Sequence, residues 1–198
     1  MSAEPRQLDG YEVLLCPTGG IACYKSADLT SRLVQAGAGV TVAMTESATR
    51  FVGPLTFQTL TAREVYTSMW QSLGSYDVKH LSLTERADLM IVAPATANIL
   101  AKMAGGIADD LVSALALSAH GACPVLLAPA MNTRMWEAPP TRANLQRLTD
   151  WGAHVVGPGS GRLACGDVGP GRMAEPAEVF DAAAALLRAA TPKRARPA

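Results

Sequence analysis

The chain has 198 residues, 49% of them apolar, with 17 acidic side chains against 17 basic ones. That is enough apolar material for one globular domain with a full core. A formal net charge of zero argues against holding nucleic acid or anionic lipid by bulk electrostatics, so any polyanion must be bound locally.

Met1 to Glu12 carry no basic start followed by an apolar run, so no secretory leader is expected, and residues 1–11 read as an N-terminal extension. The first strand is "EVLLCPT" (12–18), followed by a Gly19-Gly20 turn and a helix over 20–36. That helix puts Ala22, Ala27, Leu29, Leu33 and Val34 on one broad face and stops at Gly37. Further strands are "GVTVAMT" (39–45), "DLMIVAPA" (88–95), "CPVLLAPA" (123–130) and "HVVGPG" (154–159). Helical segments cover 109–119, 141–151 and, opened by Pro176, the stretch to Leu187. Residues 161–173 read as a Gly-rich loop, and 191–198 as a disordered, solubilising basic tail. The apolar region 87–119 is broken by Lys102, Asp109 and Asp110, which argues against a membrane span.

Four of the five strands are almost wholly apolar rather than alternating, as strands covered on both faces should be. The expected fold is therefore α/β, a single doubly wound parallel sheet with helices on both faces, forming one domain over 1–190.

Ligands of such sheets bind at the carboxyl ends of the strands. Gly19 and Gly20 let backbone N–H groups approach an anion, or simply make a tight turn; Lys25 adds charge there or, the commoner case, is an exposed helix lysine. "APATAN" (93–98) and "APAMN" (128–132) are near copies. In them Pro94 and Pro129 should end strand pairing, and Asn98 and Asn132 stand where a helix would begin. Each Asn reads as an N-cap or as a carboxamide facing a shared crevice. His80 lies between polar segments and either exchanges protons or is structural. Cys16, Cys23, Cys123 and Cys165 show no Cys-x-x-Cys spacing, so no metal site is expected and the thiols should be free in a reducing, cytoplasmic setting. The first three read as buried structural cysteines. Cys165, in a mobile Gly-rich loop with Arg162, Asp167 and Arg172, is suited to proton transfer or nucleophilic attack.

"GGIACYK" (19–25), His80, "PATAN" (94–98), "PAMNTRMW" (129–136) and "LACGDVGPGRM" (163–173) together resemble the flavin-dependent cysteine decarboxylase family, in order from about Val13 to Pro176. The last two motifs are specific as a pair, whereas the glycine turn alone is not. The resemblance implies a flavodoxin-like, Rossmann-like domain that binds FMN through Gly19, Gly20, Ile21, Thr45, Ser47, Thr96, Ala97, Asn98, Ile99 and Ala130. It matches His80 to the catalytic base, Asn132 to the contact with the substrate carboxylate and Cys165 to the proton donor. Met131, Ala164, Gly166 and a flap containing Met173 would flank the substrate. It also implies a homo-oligomer, a trimer or a cluster of trimers, with the site at a subunit boundary. Ile99 departs from the family, which often has Thr there.

The reaction so implied is decarboxylation of a cysteine through a thioaldehyde and an enethiolate, with 4'-phosphopantothenoylcysteine of coenzyme A biosynthesis as the substrate. Direct loss of carbon dioxide would leave electrons on Cα with no acceptor, and oxidation of Cβ supplies one. Cys165 is the candidate acid that restores a saturated thiol. The alternative is a peptide ending in cysteine, released as the enethiol, a reaction that would not need Cys165; the absence of a following ligase segment leaves that reading open. A flavin prenyltransferase is a further alternative, disfavoured by the "PAMN" corner and the Cys165 flap, and a non-catalytic regulatory relative another, disfavoured by the presence of His80, Asn132 and Cys165 together and by the short basic tail.

Overall fold

The near-continuous apolar runs become the strands of one sheet. The computed structural model describes residues 6–70 and 79–193, apart from the side chains of residues 79–81. Its first half contains β1 (Glu12–Cys16), α1 (Cys23–Gln35), β2 (Gly39–Ala43), α2 (Glu46–Thr49), α3 (Pro54–Thr61), β3 (Val65–Tyr66), α4 (Lys79–Arg86), β4 (Leu89–Ala95) and α5 (Ala97–Gly105). The chain continues through α6 (Leu111–Ser118), β5 (Val125–Pro129), α7 (Thr133–Glu137), α8 (Pro139–Asp150), β6 (His154–Val155), β7 (Gly159–Arg162), β8 (Val168–Arg172) and α9 (Pro176–Arg188). The first six strands pair in parallel in the order β3-β2-β1-β4-β5-β6. This is the expected doubly wound α/β fold.

Successive strand residues face opposite sides of a sheet. Val13 and Leu15 pack with Leu29 and Leu33 of α1, Phe57 of α3 and Val179 and Ala183 of α9. Leu14 and Cys16 pack instead with Leu100 of α5, Val112 and Leu115 of α6 and Leu148 of α8. Both faces are covered, which is why these strands lack alternation. Each buried leucine contributes roughly 1.5–3 kcal/mol relative to exposure. Local signals set the helix ends: in a capping box, Ser113 N donates to Asp110 Oδ1 at 2.9 Å and Asp110 N donates to Ser113 Oγ at 3.1 Å, while Pro176 opens α9.

Several expectations change. β4 runs through Pro94 to Ala95, which pairs with Pro129 across a register shift beyond Val92. The missing proline donor is accommodated at that irregularity instead of ending the ladder. The Gly-rich segment is not a loop: β7 and β8 form an antiparallel ribbon. Its β8 strand lies on the corner after β5, where Met131 N donates to Gly171 O at 2.9 Å and Thr133 Oγ1 donates to Pro170 O at 2.9 Å. Local propensity does not disclose such docking.

Both chain ends join the core more closely than expected. Leu8 is fully buried, and its N–H donates to Ala36 O at 2.7 Å. Lys193 donates from Nζ to the carbonyls of Glu85 and Ala122 at 2.8 and 2.9 Å, and from its amide to Asp88 Oδ1 at 2.7 Å. Residues 1–5 and 194–198, the remainder of the expected extension and tail, lie outside the described residues. No helix among the described residues is long and apolar enough to cross a membrane.

Candidate functional site

In the strand order, the chain reverses direction between β1 and β4, and an open sheet leaves a crevice at such a point. Corners after β1, β2, β4 and β5 border one cleft there of about 1050 Å³. Pockets for single small ligands run from roughly 300 to 1,000 Å³, so this one has room for more than one bound molecule.

The first corner supplies backbone donors. The amides of Gly19, Ile21 and Ala22 make no hydrogen bond within the described residues, while Gly20 N donates to Thr18 O at 2.9 Å. Gly19 is required by close approach: a Cβ there would lie 2.3 Å from Ser47 Cβ, so only glycine lets the β1 and β2 corners touch. Thr18, buried, ties this corner to the β4 corner, donating to Pro94 O at 2.7 Å and accepting from Thr96 N at 3.3 Å.

The other corners open short helices through side-chain caps. Thr45 Oγ1 accepts from Ala48 N at 3.2 Å, Thr96 Oγ1 from Ile99 N at 3.4 Å and Asn132 Oδ1 from Met135 N at 2.9 Å. Asn132 is thus a cap, as one reading had it. Asn98 is not, because Thr96 takes that position and Asn98 is the second residue of α5.

All ten residues expected around a cofactor, from Gly19, Gly20 and Ile21 through Thr45, Ser47, Thr96, Ala97, Asn98 and Ile99 to Ala130, border the cleft. Ile99 does so while being only 1% exposed and packed in the core. Met131, Asn132, Ala164, Cys165 and Met173 border it as well. Gly166 does not; it lies in the ribbon's turn, where its N–H donates to Leu163 O at 2.9 Å. Met173, expected in the flap, follows β8 and is buried in the core at 1% exposure, so it anchors the flap. His80 is the second residue of α4, and its side chain lies outside the described residues.

Cys165 sits exposed at the tip of the β7–β8 ribbon, with Sγ donating to Asp167 Oδ2 at 3.5 Å. The remaining cysteines are buried. Burial, with smaller contributions from Cys123 and Asp110, pushes the Cys16 thiol far up; burial alone pushes Cys23 up to about 11, and burial raises Cys123 against the opposing pull of Lys193 and the Met90 amide.

Arg162 and Arg172, named beside Cys165 from the sequence, border the cleft, whereas the pairing of its charges was not legible there. Lys25, expected to be exposed, is 6% exposed, and its Nζ donates to Met173 O at 3.0 Å and Glu175 Oε1 at 3.1 Å. Arg172 pairs with Glu175 too, and the Arg172 guanidinium, followed by Lys25, holds the Glu175 carboxyl below the usual range. Lys102 Nζ lies 2.6 Å from both Asp109 and Asp110 and holds the Asp109 carboxyl low. One cation against two carboxylates leaves the cleft wall at Lys102 net negative, and the donors left over in the cleft include the first-corner amides and the Asn132 NH2.

The Flavoprotein family model matches residues 1–188. The chain belongs to the Flavoprotein family. This flavoprotein is 49% identical over 172 residues to the coenzyme A biosynthesis bifunctional protein CoaBC of Bacillus subtilis (strain 168), covering 87% of this chain and 42% of that protein. To CoaBC of Escherichia coli (strain K12) it is 43% identical over 178 residues, covering 90% of this chain and 43% of that one. The chain thus spans less than half the length of these curated relatives. Among solved structures, a cysteine-to-serine mutant of PPC decarboxylase complexed with pantothenoylaminoethenethiol superposes with a TM-score of 0.81 at 32% identity, over 90% of this chain and 98% of that one. The FMN-dependent cysteine decarboxylase SpaF gives 0.77 at 27% identity, over 90% and 96%.

Proposed function

We propose that this flavoprotein binds FMN and removes the carboxylate of a cysteine as carbon dioxide, converting 4'-phosphopantothenoylcysteine to 4'-phosphopantetheine. The observation that carries this reading is one cleft bordered by the free amides of the first corner, the Asn132 carboxamide and the Cys165 thiol. The relatives CoaBC and PPC decarboxylase, the latter holding an aminoethenethiol, support the choice of substrate.

The residues fit FMN. The amides of Gly19, Ile21 and Ala22 at the start of α1 suit a phosphate monoester, which helix N-termini favour. Ala97 and Asn98, in the first turn of α5, add donors, and Ala130 and Met131 give an apolar wall for a flat ring. When bound, FMN would supply a hydride acceptor for the substrate Cβ, so that the C=S group formed there takes up the electrons left by decarboxylation, and would then supply the hydride that restores the saturated thiol. Asn132 spends its Oδ1 on the Met135 amide, leaving its NH2 to hold the substrate carboxylate. His80 takes the thiol proton as base. Cys165, brought over the substrate by the ribbon, gives a proton to carbon and recovers one from water. Met131 and Ala164 flank the substrate.

The assembly we infer is a homo-oligomer, a trimer or a cluster of trimers with the cleft at a subunit boundary, in the cytoplasm. Ile21 and Tyr24, each 61% exposed at the edge of the cleft, are apolar surface of the kind such a boundary covers. A second reading, a peptide ending in cysteine released as an enethiol, is favoured by the likeness to SpaF.

Mass spectrometry of products from yellow protein incubated with phosphopantothenoylcysteine, and separately with a cysteine-ended peptide, decides between them. The expected result is loss of carbon dioxide alone from the small substrate, and loss of carbon dioxide plus two hydrogens with Cys165→Ser. Reaction of the peptide alone would establish the second reading.

A further inference from the structure

Among the described residues, Lys25 is the one buried charged side chain. A buried ammonium persists only where its donors are matched, and both acceptors of Lys25 belong to the segment where β8 leaves the flap. Nζ donates to Met173 O at 3.0 Å and to Glu175 Oε1 at 3.1 Å. Lys25 itself stands on α1, the helix that begins beside the free amides of the cleft. One side chain therefore joins the floor of the cleft to the root of the ribbon. The root is fixed further by the Met131 N to Gly171 O bond, while Cys165 at the tip is exposed.

We propose that Lys25 is a positioning residue that, together with Glu175, fixes the root of the β7–β8 ribbon on α1 and so determines where Cys165 stands over the cleft. The consequence for chemistry rests on the function proposed above; the mechanical part does not. Asn132 is off the ribbon, so releasing the root acts first on proton delivery by Cys165 and only second on the grip on the substrate carboxylate. The product mixture then shifts from saturated thiol toward enethiol.

The test uses flavin-loaded full-length protein with Lys25→Met, Glu175→Gln and both together. Two quantities are read: hydrogen exchange of the 159–173 segment, and the ratio of enethiol to saturated thiol released from phosphopantothenoylcysteine. Lys25→Met should speed exchange of β8 by about tenfold, a modest local opening, and raise the enethiol ratio by about tenfold. The double variant should fall short of the sum of the two single effects, because Lys25 and Glu175 share one contact, the excess over Lys25→Met reporting the Arg172 pairing of Glu175. Faster exchange with an unchanged ratio would make Lys25 a structural anchor only and overturn the proposal; unchanged exchange would overturn it outright. Should Lys25→Met not fold, Glu175→Gln, whose side chain is 45% exposed, carries both readouts, and wild-type values for it overturn the proposal. If wild-type protein decarboxylates neither cysteine substrate, the proposed function fails, and the exchange measurement alone still decides the anchoring.

Discussion

Asn132 uses the two ends of one carboxamide differently. Its Oδ1 caps α7 at 2.9 Å from Met135 N, and its NH2 has no partner among the described residues. Asn132→Asp keeps the acceptor that caps the helix, so stability should change by less than about 0.5 kcal/mol. The same change replaces the donor with a second anionic oxygen facing a substrate carboxylate, and kcat/KM should fall by about a hundredfold or more. Wild-type kinetics with unchanged melting would reduce Asn132 to a cap. The cysteines separate just as sharply. Cys165 is exposed, whereas burial raises the thiols of Cys16, Cys23 and Cys123. Only the thiolate alkylates, so native protein treated with iodoacetamide should carry label at Cys165 alone by peptide mass spectrometry. Comparable labelling of Cys16 would show that the sheet opens. Lys25 shows how legible a residue can be in part: Ala22, Lys25, Leu29 and Leu33 follow one helix face, so the apolar stripe already contained it. Its acceptors lie 148 and 150 residues away in sequence, which no local pattern discloses.

Elements with two covered faces were easy to read, because burial on both sides writes itself as a continuous apolar run. Short elements were harder. α2 and α7, of 4 and 5 residues, are set by one cap each and carry too few turns for a period to show. The ribbon is a different case, since "VGPGR" has no alternation and is held by the corner beneath it. Gly171 records that docking: it has a φ of 129°, and a Cβ there would lie 2.2 Å from Met131 O. Backbone must move to admit a methyl group, so Gly171→Ala should destabilise the protein by roughly 1–3 kcal/mol. Gly166→Ala, at a φ of 96° with no atom within 4 Å, isolates the backbone strain from the clash and should cost less. Thermal unfolding of both variants checks this, and equal melting would mean that β8 does not sit on the corner.

At the scale of the whole molecule, acidic and basic side chains balance, and several are gathered into clusters that join distant segments around the cleft. Lys102 joins α5 to the start of α6, and Lys25 and Arg172 converge on Glu175 where the ribbon meets α9. The carboxyls of Glu175 and Asp109 are held below their ordinary range, by Arg172 and Lys25 for the first and by Lys102 for the second. A carboxyl with a depressed native value favours the folded arrangement fully above its unfolded value and loses that contribution as pH falls through the native one. Protection of the 168–173 amides, corrected for intrinsic exchange, should therefore be flat from pH 8 to about 5.5 and fall below about pH 4.5, the unfolded glutamate range. Glu175→Gln should remove most of that acid-dependent fall while leaving the neutral plateau lower, because the neutral amide pairs more weakly with two cations. Loss of protection already between pH 7 and 6 would assign the loosening to a histidine and take the ribbon's root out of carboxylate control.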